Sequence, residues 1–246
     1  MSDVELPPAT KVAILISVGV SASQGIGAGL VAGYRGRGWA VVASARTIKP
    51  SQDPVVLTVA GDIADPATAD LIVGAALDRF GRLDTLVNNA GVFVSKPFTD
   101  YTAADYARVI GVNLTGFLWV TQRAIAEMAR RYGGHVVNVT ASLAEAADSG
   151  TPAVLTALTK GGLAAATRSL AVEYARLGIR VNAVSPGIIQ TPVYPADSYD
   201  DLGARLPPLG RVGQVSDVVD GVLFLESSPY ITGEILHIDG GQTSGH

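Results

Sequence analysis

The sequence predicts an α/β fold in which a seven-stranded, doubly wound parallel sheet lies between two layers of helices. Short apolar runs rich in Val and Ile alternate about seven times with longer segments of helical period. The runs are apolar at nearly every position, which is typical of strands covered by helices on both faces. The composition does not change along the 246 residues, and this favours one domain over two.

The chain begins with a strand, a helix and two further strands. Residues 11–18 form a continuous apolar run rich in β-branched residues, and a glycine-rich turn separates this run from a helical stretch at 26–37. Residues 39–45 and 53–62 repeat the buried-strand pattern. All three runs are predicted as strands.

The second helix is predicted from its end signals as well as from its period. It spans residues 65–81. Asp65 is a good N-cap, Pro66 occupies the first helical position, where it needs no hydrogen-bond acceptor, and Gly81 ends the helix.

The middle of the chain contains one long helical segment between two strands. Residues 83–91 predict a strand that runs into a turn, and residues 133–140 predict the fifth strand. The segment between them, at 102–131, is helical in period, but Gly111 and Gly116 are placed to break or bend it.

The last third contains two helices, two strands and one irregular loop. A helix is predicted at 152–177 and a strand at 179–187, and a helix at 216–226 and a strand at 234–241 close the chain. Residues 188–213 hold several prolines and little periodicity, so they are interpreted as a mobile loop with at most one short helix.

Composition excludes several classes of protein. The net charge of −4 gives no basic surface for nucleic acid or anionic membrane, and the absence of cysteine excludes disulfides, thiolate metal sites and a Cys nucleophile. Residues 1–10 lack the basic start and apolar centre of a signal peptide and are interpreted as a flexible lead-in to a single domain at 11–246. A cytoplasmic protein is the simplest interpretation.

The glycine-rich turn at 21–27, "SASQGIG", stands where a doubly wound sheet binds pyrophosphate. Glycine lets the backbone approach the phosphates, and the helix N-terminus supplies free N–H groups and partial positive charge. An ordinary turn between strand and helix has the same composition, so this motif alone does not establish a cofactor site.

Eight short stretches, taken together and in order, make the chain resemble the short-chain dehydrogenase/reductase family. They are "SASQGIG", "GDIAD" at 61–65, "NNAG" at 88–91, "VNL" at 112–114, the Ser/Thr patch after "VVNV", Lys160 in its helix, "SPGIIQTP" at 185–192 and "TGEILHIDGG" at 232–241. The resemblance implies a Rossmann-type fold, a nicotinamide cofactor and a homotetramer.

The resemblance also implies the cofactor contacts. Asp62 and Ile63 would border the adenine, and Lys160 would hold the nicotinamide ribose. The remaining implied contacts are Ser21, Ser23, Gln24, Gly25, Ile26 and Gly27 at the phosphates, Asn89, Ala90 and Gly91 at the adenosine ribose, and Pro186, Gly187, Ile189 and Thr191 at the nicotinamide. The second strand ends without an acidic residue and with Arg46 in reach, so NADP(H) is favoured over NAD(H).

The catalytic positions depart from the family pattern. Members of the family carry a Tyr four residues before the Lys, one helical turn away, but here that position is Thr156. An aliphatic hydroxyl is a far weaker acid than a phenol, so Thr156 is expected only to position a water or to donate to a carbonyl. Counting from Asn138 places Ala141 at the family's serine position, and the neighbouring Ser142 is chosen instead.

Two more features complete the candidate site. Asn113 matches the family's asparagine, which holds a water beside the lysine; an ordinary polar residue inside a helix is the alternative. The phosphate turn has Ser21 where the family has its first Gly, and the stretch from the first strand is about four residues longer than usual. Either the strand is extended or the loop bulges toward the phosphate site.

These observations predict an NAD(P)-dependent oxidoreductase that acts on a small carbonyl or alcohol. Residues 188–213 are expected to shape the substrate pocket. The alternatives are a redox-inactive relative with a binding or regulatory role and a lyase or isomerase on the same fold. No metal site is expected, because His135, His237 and His246 lack ligand spacing, and a hydrolase elbow of the Gly-x-Ser-x-Gly type is absent.

Overall fold

The computed structural model describes Pro7 and residues 10–17, 25–191 and 207–245. Most of the predicted lead-in, the turn residues Ser21, Ser23 and Gln24, and the middle of the predicted substrate loop lie outside the described residues.

Seven strands form one parallel sheet in the order β3-β2-β1-β4-β5-β6-β7, as predicted. The inner strands are buried at almost every position, because helices cover both faces. The strands are β1 Val12–Ile16, β2 Ala40–Ala45, β3 Val56–Ala60, β4 Thr85–Asn88, β5 Gly134–Val139, β6 Ile179–Pro186 and β7 Ile235–Ile238.

The helices divide between the two faces of the sheet. Helices α1 and α6 pack together on one face, and α2, α4 and α5 cover the other. Each face therefore has its own apolar core, one containing Leu30 and Val218 and the other Ile72 and Val120. The helices are α1 Gly25–Gly36, α2 Pro66–Phe80, α3 Ala103–Ile110, α4 Gly116–Arg130, α5 Val154–Tyr174 and α6 Val215–Ser227.

Helix α2 has the ends that its sequence predicts. The Asp65 side chain accepts a hydrogen bond from the Ala67 N–H, and Pro66 opens the helix. Gly81 ends it in the left-handed region with φ 71°, and its N–H donates to the Leu77 carbonyl. Local sequence is sufficient here because every group involved lies within one helical turn of the end.

The long helix predicted at 102–131 is two helices joined by a π-helical turn at Gly111–Thr115. The turn widens the backbone and turns Asn113 into the interior. Gly116 follows at once, and a Cβ at this position would lie only 2.7 Å from Cγ2 of Ile63. The two glycines thus allow the interruption that the sequence pattern indicated.

The order of the strands determines where the sheet has a crevice that can bind a ligand. The crossover from β1 runs toward β2 and that from β4 toward β5, so a crevice opens between β1 and β4 at the carboxyl ends of the strands. Within the described ranges, no helix combines the length and apolar character needed to cross a membrane. The same ranges contain no group of three or more His, Asp or Glu side chains that suits a metal ion.

Candidate functional site

Lys160 lies at the carboxyl edge of the sheet and is almost fully buried. Its Nζ donates to the Val139 carbonyl at 2.6 Å, which ties helix α5 to the end of β5. Burial lowers the pKa of Lys160 to about 8, because the charged ammonium loses solvation. One N–H is used by Val139, so two remain for a ligand beside it.

Gly91 leaves the space that Lys160 occupies. A Cβ at Gly91 would lie 2.9 Å from Nζ and 3.3 Å from Cε of the lysine. The turn after β4 therefore approaches the ammonium with backbone alone, a contact that the sequence did not predict, since the family resemblance placed this turn at the adenosine ribose. Asn89 fixes this turn, since its backbone N–H donates to Ile16 O and its side-chain amide donates to Ser17 Oγ.

Asn113 joins three segments around the lysine. Its amide donates to the Val92 carbonyl at 3.1 Å and to Thr159 Oγ1 at 3.0 Å, and its Oδ1 accepts from the Val92 N–H at 2.8 Å. All hydrogen-bonding atoms of the side chain are thus occupied by the protein. Asn113 holds the turn after β4 and helix α5 in register, which the sequence did not predict.

Thr156 lies one helical turn before Lys160 and is 3% exposed. Its Oγ1 has no hydrogen-bond partner among the described residues, and neither does Oγ of Ser185 at the end of β6. Buried hydroxyls rarely lack partners, so these two atoms mark places where a water or a ligand atom fits.

The two candidate positions for the family's serine, Ala141 and Ser142, follow Thr140 directly after β5, and the side chains of these three residues have different surroundings. The Thr140 hydroxyl donates into the sheet, to Val184 O. Ala141 and Ser142 both line a cavity, and Ser142 carries a hydroxyl, which donates to Oε1 of Gln242 at 3.1 Å. Of the three positions, Ser142 therefore presents the hydroxyl at the cavity.

The cavity has a volume of about 390 Å³ and lies against the end of β6. Pro186, Gly187 and Ile189, which the sequence placed at the nicotinamide, form one wall. The rest is mainly apolar and includes Phe93, Phe98, Leu143, Ala146, Val154 and Ala157. A larger cavity of about 600 Å³ is lined by residues of the predicted substrate loop, namely Ile188, Pro207, Pro208, Leu209, Arg211 and Gly213, but by none of the predicted catalytic or cofactor-binding residues.

The other predicted cofactor residues border the same edge. Gly25 opens helix α1 with φ +65°, and a Cβ there would lie 3.6 Å from Cγ2 of Thr191, so the helix N-terminus and the segment after β6 are neighbours. Ile26 and Gly27 follow in the first turn of α1. Arg46 is exposed just beyond β2.

The two predicted adenine contacts have different surroundings. Asp62 is exposed after β3, and its Oδ1 accepts from the Ala64 N–H at 3.0 Å. The Ile63 side chain is 7% exposed and packs against Gly116.

These features fit a nicotinamide dinucleotide. The crevice at the switch point, the glycine approach at Gly91, the buried ammonium of Lys160 and the unpartnered hydroxyls of Thr156 and Ser185 all lie in the carboxyl-edge layer where such a group binds. The sequence did not predict Gln242 as part of the cavity. No motif points to it, because it meets Ser142 only through the fold, 100 positions away.

Comparisons with known proteins identify similar chains. The protein-family model for enoyl-(acyl carrier protein) reductases matches residues 19–243. The chain is 34% identical over 244 residues to cis-4-hydroxycyclohexanecarboxylate dehydrogenase of Sinomonas cyclohexanicum, covering 93% of this chain and 96% of that protein.

Solved structures show the same architecture. The chain resembles ElxO with NADP bound, with a TM-score of 0.86 and 29% identity over 96% of this chain and 100% of that one. It also resembles 3-ketoacyl-(acyl-carrier-protein) reductase from Brucella melitensis complexed with NADH, with a TM-score of 0.84 and 28% identity over 96% of this chain and 100% of the other. The chain belongs to the short-chain dehydrogenase/reductase family of oxidoreductases.

Proposed function

We propose that the protein is an NAD(P)-dependent oxidoreductase that interconverts a small carbonyl compound and its alcohol. The observation that carries the proposal is the buried Lys160 ammonium, held by Val139 O and approached by the bare backbone of Gly91, on the same helix whose Val154 and Ala157 line an apolar cavity. A fixed cation beside such a cavity suits a polar sugar bound next to a small, mostly apolar substrate.

The residues that would hold the cofactor follow the carboxyl edge. The N-terminus of α1 provides free N–H groups for the phosphates, and Lys160 donates to the nicotinamide ribose. Bound there, the nicotinamide supplies hydride chemistry. The other proposed contacts are Ser21, Ser23, Gln24, Asp62, Ile63, Asn89, Ala90, Gly91, Pro186, Gly187, Ile189 and Thr191.

NADP(H) is the preferred cofactor in this proposal. Arg46 is exposed directly after β2, and no acidic residue ends that strand to bind the ribose hydroxyls. Related structures contain NADP in one case and NADH in another, so they support a nicotinamide cofactor without choosing between the two. The proposed preference for NADP(H) over NAD(H) therefore depends on Arg46.

Proton movement is assigned to Lys160, with Ser142 and Asn113 in supporting roles. Its lowered pKa lets Lys160 exchange a proton near neutral pH. Asn113 positions α5 through Thr159. Thr156, with its unpartnered hydroxyl, would hold a water in place of the phenol. Binding and orientation give rate even where the acid is weak.

A second candidate function is a protein that binds the same molecules without redox chemistry, or one that acts as a lyase or isomerase. The observation that favours it is Thr156 itself. This hydroxyl is buried and does not line the cavity, whereas a phenol at this position would be long enough to reach outward.

The proposal includes one domain at 11–246, with 188–213 over the substrate, and a homotetramer. Strands from Val12 to Ile238 share one sheet, which supports a single domain. Exposed apolar side chains on α4 and α5, such as Leu118 and Val172, support association. Light scattering of the purified protein tests the tetramer, and a monomer would contradict it.

Titration with coenzyme tests the central proposal. NADPH and NADH are added while the fluorescence of Trp39 and Trp119 is followed. NADPH should bind, and Arg46→Ala should weaken NADPH about tenfold while leaving NADH unchanged, since one charge-assisted hydrogen bond is lost. Arg79→Ala, a matched change on α2, should alter neither. A wild-type protein that binds neither coenzyme would rule out the proposal.

A further inference from the structure

Gln242 lies in the turn after β7, yet it lines the cavity next to Ser142. Gln242 is 7% exposed and Ser142 is 3% exposed. The Ser142 hydroxyl donates to Oε1 of Gln242 at 3.1 Å, and both residues line the cavity with Pro186 and Gly187. The C-terminal turn thus contributes a polar group to a cavity whose walls are mainly apolar.

The position of Gln242 is fixed by the turn that carries it. Asp239 accepts hydrogen bonds from the N–H groups of Gly241 and Thr243, both at 2.9 Å, and from the Thr243 hydroxyl at 2.6 Å. Gly187 donates its N–H to Ile238 O, and a Cβ on Gly187 would lie 2.9 Å from Asp239 Cα. The turn is therefore packed directly on the proposed nicotinamide wall.

Once Ser142 and Gln242 are hydrogen-bonded to each other, the donor that this pair can offer to a ligand is the side-chain amide N–H of Gln242. The Ser142 hydroxyl donates its hydrogen bond to Gln242, so it is not free to donate to a ligand. Oε1 of Gln242 is occupied, whereas its Nε2 makes no hydrogen bond to any residue in the described ranges. The hydrogen bond accepted at Oε1 polarises the amide and strengthens its N–H groups as donors.

The charges around the cavity favour an uncharged ligand. Lys96, the cationic side chain among the described lining residues, is paired with Asp105 at 2.6 Å. A carboxylate ligand would need a cation that the described lining residues do not leave unpaired, whereas a neutral carbonyl needs only a donor.

We infer that Gln242 is the residue that positions the substrate, donating from its side-chain amide to the oxygen of a neutral ketone or aldehyde, with Ser142 fixing the orientation of that amide. This inference rests on the proposed function, because it names the substrate class of the same cavity. It differs from the role expected for the family's serine, since the hydrogen bond to the substrate comes from Gln242.

Two probes of nearly equal shape separate hydrogen bonding from packing. Acetophenone has a carbonyl oxygen where α-methylstyrene has a CH₂ group. Binding of each is followed by ligand-observed NMR, with the protein alone and with saturating NADP⁺. Wild-type protein should bind acetophenone about tenfold more tightly, as expected for one hydrogen bond in a mainly apolar cavity.

The variants are chosen to keep the shape of the cavity. Gln242→Met keeps the length of the side chain and removes its donors, and it should lower the preference for acetophenone. Because this change frees the Ser142 hydroxyl to donate, the double variant Ser142→Ala/Gln242→Met should abolish the preference. Gln122→Met, the same change on the exposed surface of α4, should leave it unchanged.

Three results would overturn the inference: wild-type protein that binds neither probe, equal wild-type affinity for both, or an unchanged preference in the double variant. Equal weakening of both probes by Gln242→Met, with the ratio preserved, would assign Gln242 a packing role instead. Failure of the proposed function is seen separately, as absence of NADPH binding, because the probe preference is also measured without coenzyme.

Discussion

The Nζ atom of Lys160 lies 2.6 Å from the carbonyl oxygen of Val139, so the last residue of β5 holds the buried ammonium at the edge of the sheet. The hydrogen bond replaces only part of the solvation that the ammonium loses on burial. The uncompensated part of this loss lowers the pKa of Lys160. The protein thus holds a cation whose charge is costly until a ligand with acceptor oxygens is bound beside it.

The first prediction concerns stability at alkaline pH. The folded-state pKa of Lys160 lies below the unfolded value of 10.5, so between about pH 8 and 10.5 the unfolded state binds more protons. Below about pH 8 the buried ammonium is charged, and its desolvation destabilises the folded state in full. As the pH rises, the folded protein loses this proton first, and the free energy of unfolding rises by about 3 kcal/mol. Urea unfolding of wild type and Lys160→Met measures it. A similar rise in both proteins would contradict the assignment to this lysine.

The second prediction tests the close approach at Gly91. Gly91→Ala should displace the Lys160 ammonium, because the new Cβ would lie 2.9 Å from Nζ. NADPH affinity should fall about tenfold, as expected when one charged hydrogen bond is misplaced. Gly74→Ala is the control, since a Cβ there meets nothing within 4 Å, and it should leave affinity unchanged while stabilising helix α2 slightly. Equal affinities for the two variants would exclude the close approach as a determinant.

The third prediction concerns the three hydrogen bonds of Asn113. Asn113→Ala leaves the N–H and carbonyl of Val92 without these partners in a buried site, so the free energy of unfolding should fall by about 3 kcal/mol. Gln122→Ala, exposed on α4, should change stability by less than about 0.5 kcal/mol. Both are measured by urea unfolding. A loss below about 1 kcal/mol for Asn113→Ala would show that this side chain does not hold the segments together.

The fourth prediction concerns a buried network at the opposite edge of the sheet. His135 donates from Nδ1 to Glu226 at 3.1 Å, and its Nε2 accepts from the Asn182 amide at 3.1 Å. Asn182 cannot turn without losing its bonds to Ile231 O and the Glu234 N–H. The network therefore requires a neutral imidazole.

Burial lowers the pKa of His135, and this outweighs the opposite effect of Glu226. Below pH 6.5, the pKa of His135 in the unfolded state, the unfolded state binds a proton that the folded state does not bind. The free energy of unfolding therefore falls as the pH drops through this range. Unfolding of wild type and His135→Gln at pH 7 and pH 5 isolates the contribution. The wild type should lose more stability on acidification than the variant. A larger loss in the variant would mean that protonation of His135 stabilises the folded state, which contradicts the prediction.

The fifth prediction tests whether the site lacks only a phenol. Thr156→Tyr would place a hydroxyl one turn from the Lys160 ammonium, which lowers a phenol pKa. Reduction of a panel of neutral ketones by NADPH should rise about 10²-fold or more, the usual gain from a positioned acid. Thr156→Phe adds the same bulk without the acid and should give no rise. Equal rates for the two variants would point to a function without redox chemistry.

The sequence by itself determined the parts of the molecule that depend on local pattern. Buried β-branched runs specify strands, and the caps of α2 at Asp65 and Gly81 act within one turn, so the order of elements and the parallel sheet could be predicted. The helix that carries Lys160 was predicted in the same way, whereas the role of this lysine beside the nicotinamide ribose came only from the family resemblance and stays a prediction.

Tertiary structure alone decided the contacts between distant segments. The pairing of Ser142 with Gln242, the three bonds of Asn113 and the orphaned hydroxyl of Thr156 each depend on how separate elements meet. No local periodicity encodes such contacts, since the hydrogen-bond partner of a buried polar group is chosen by packing across the sheet. For that reason, the sequence predicted which residues form the candidate site, while the fold determined which of their hydrogen-bonding atoms already have partners.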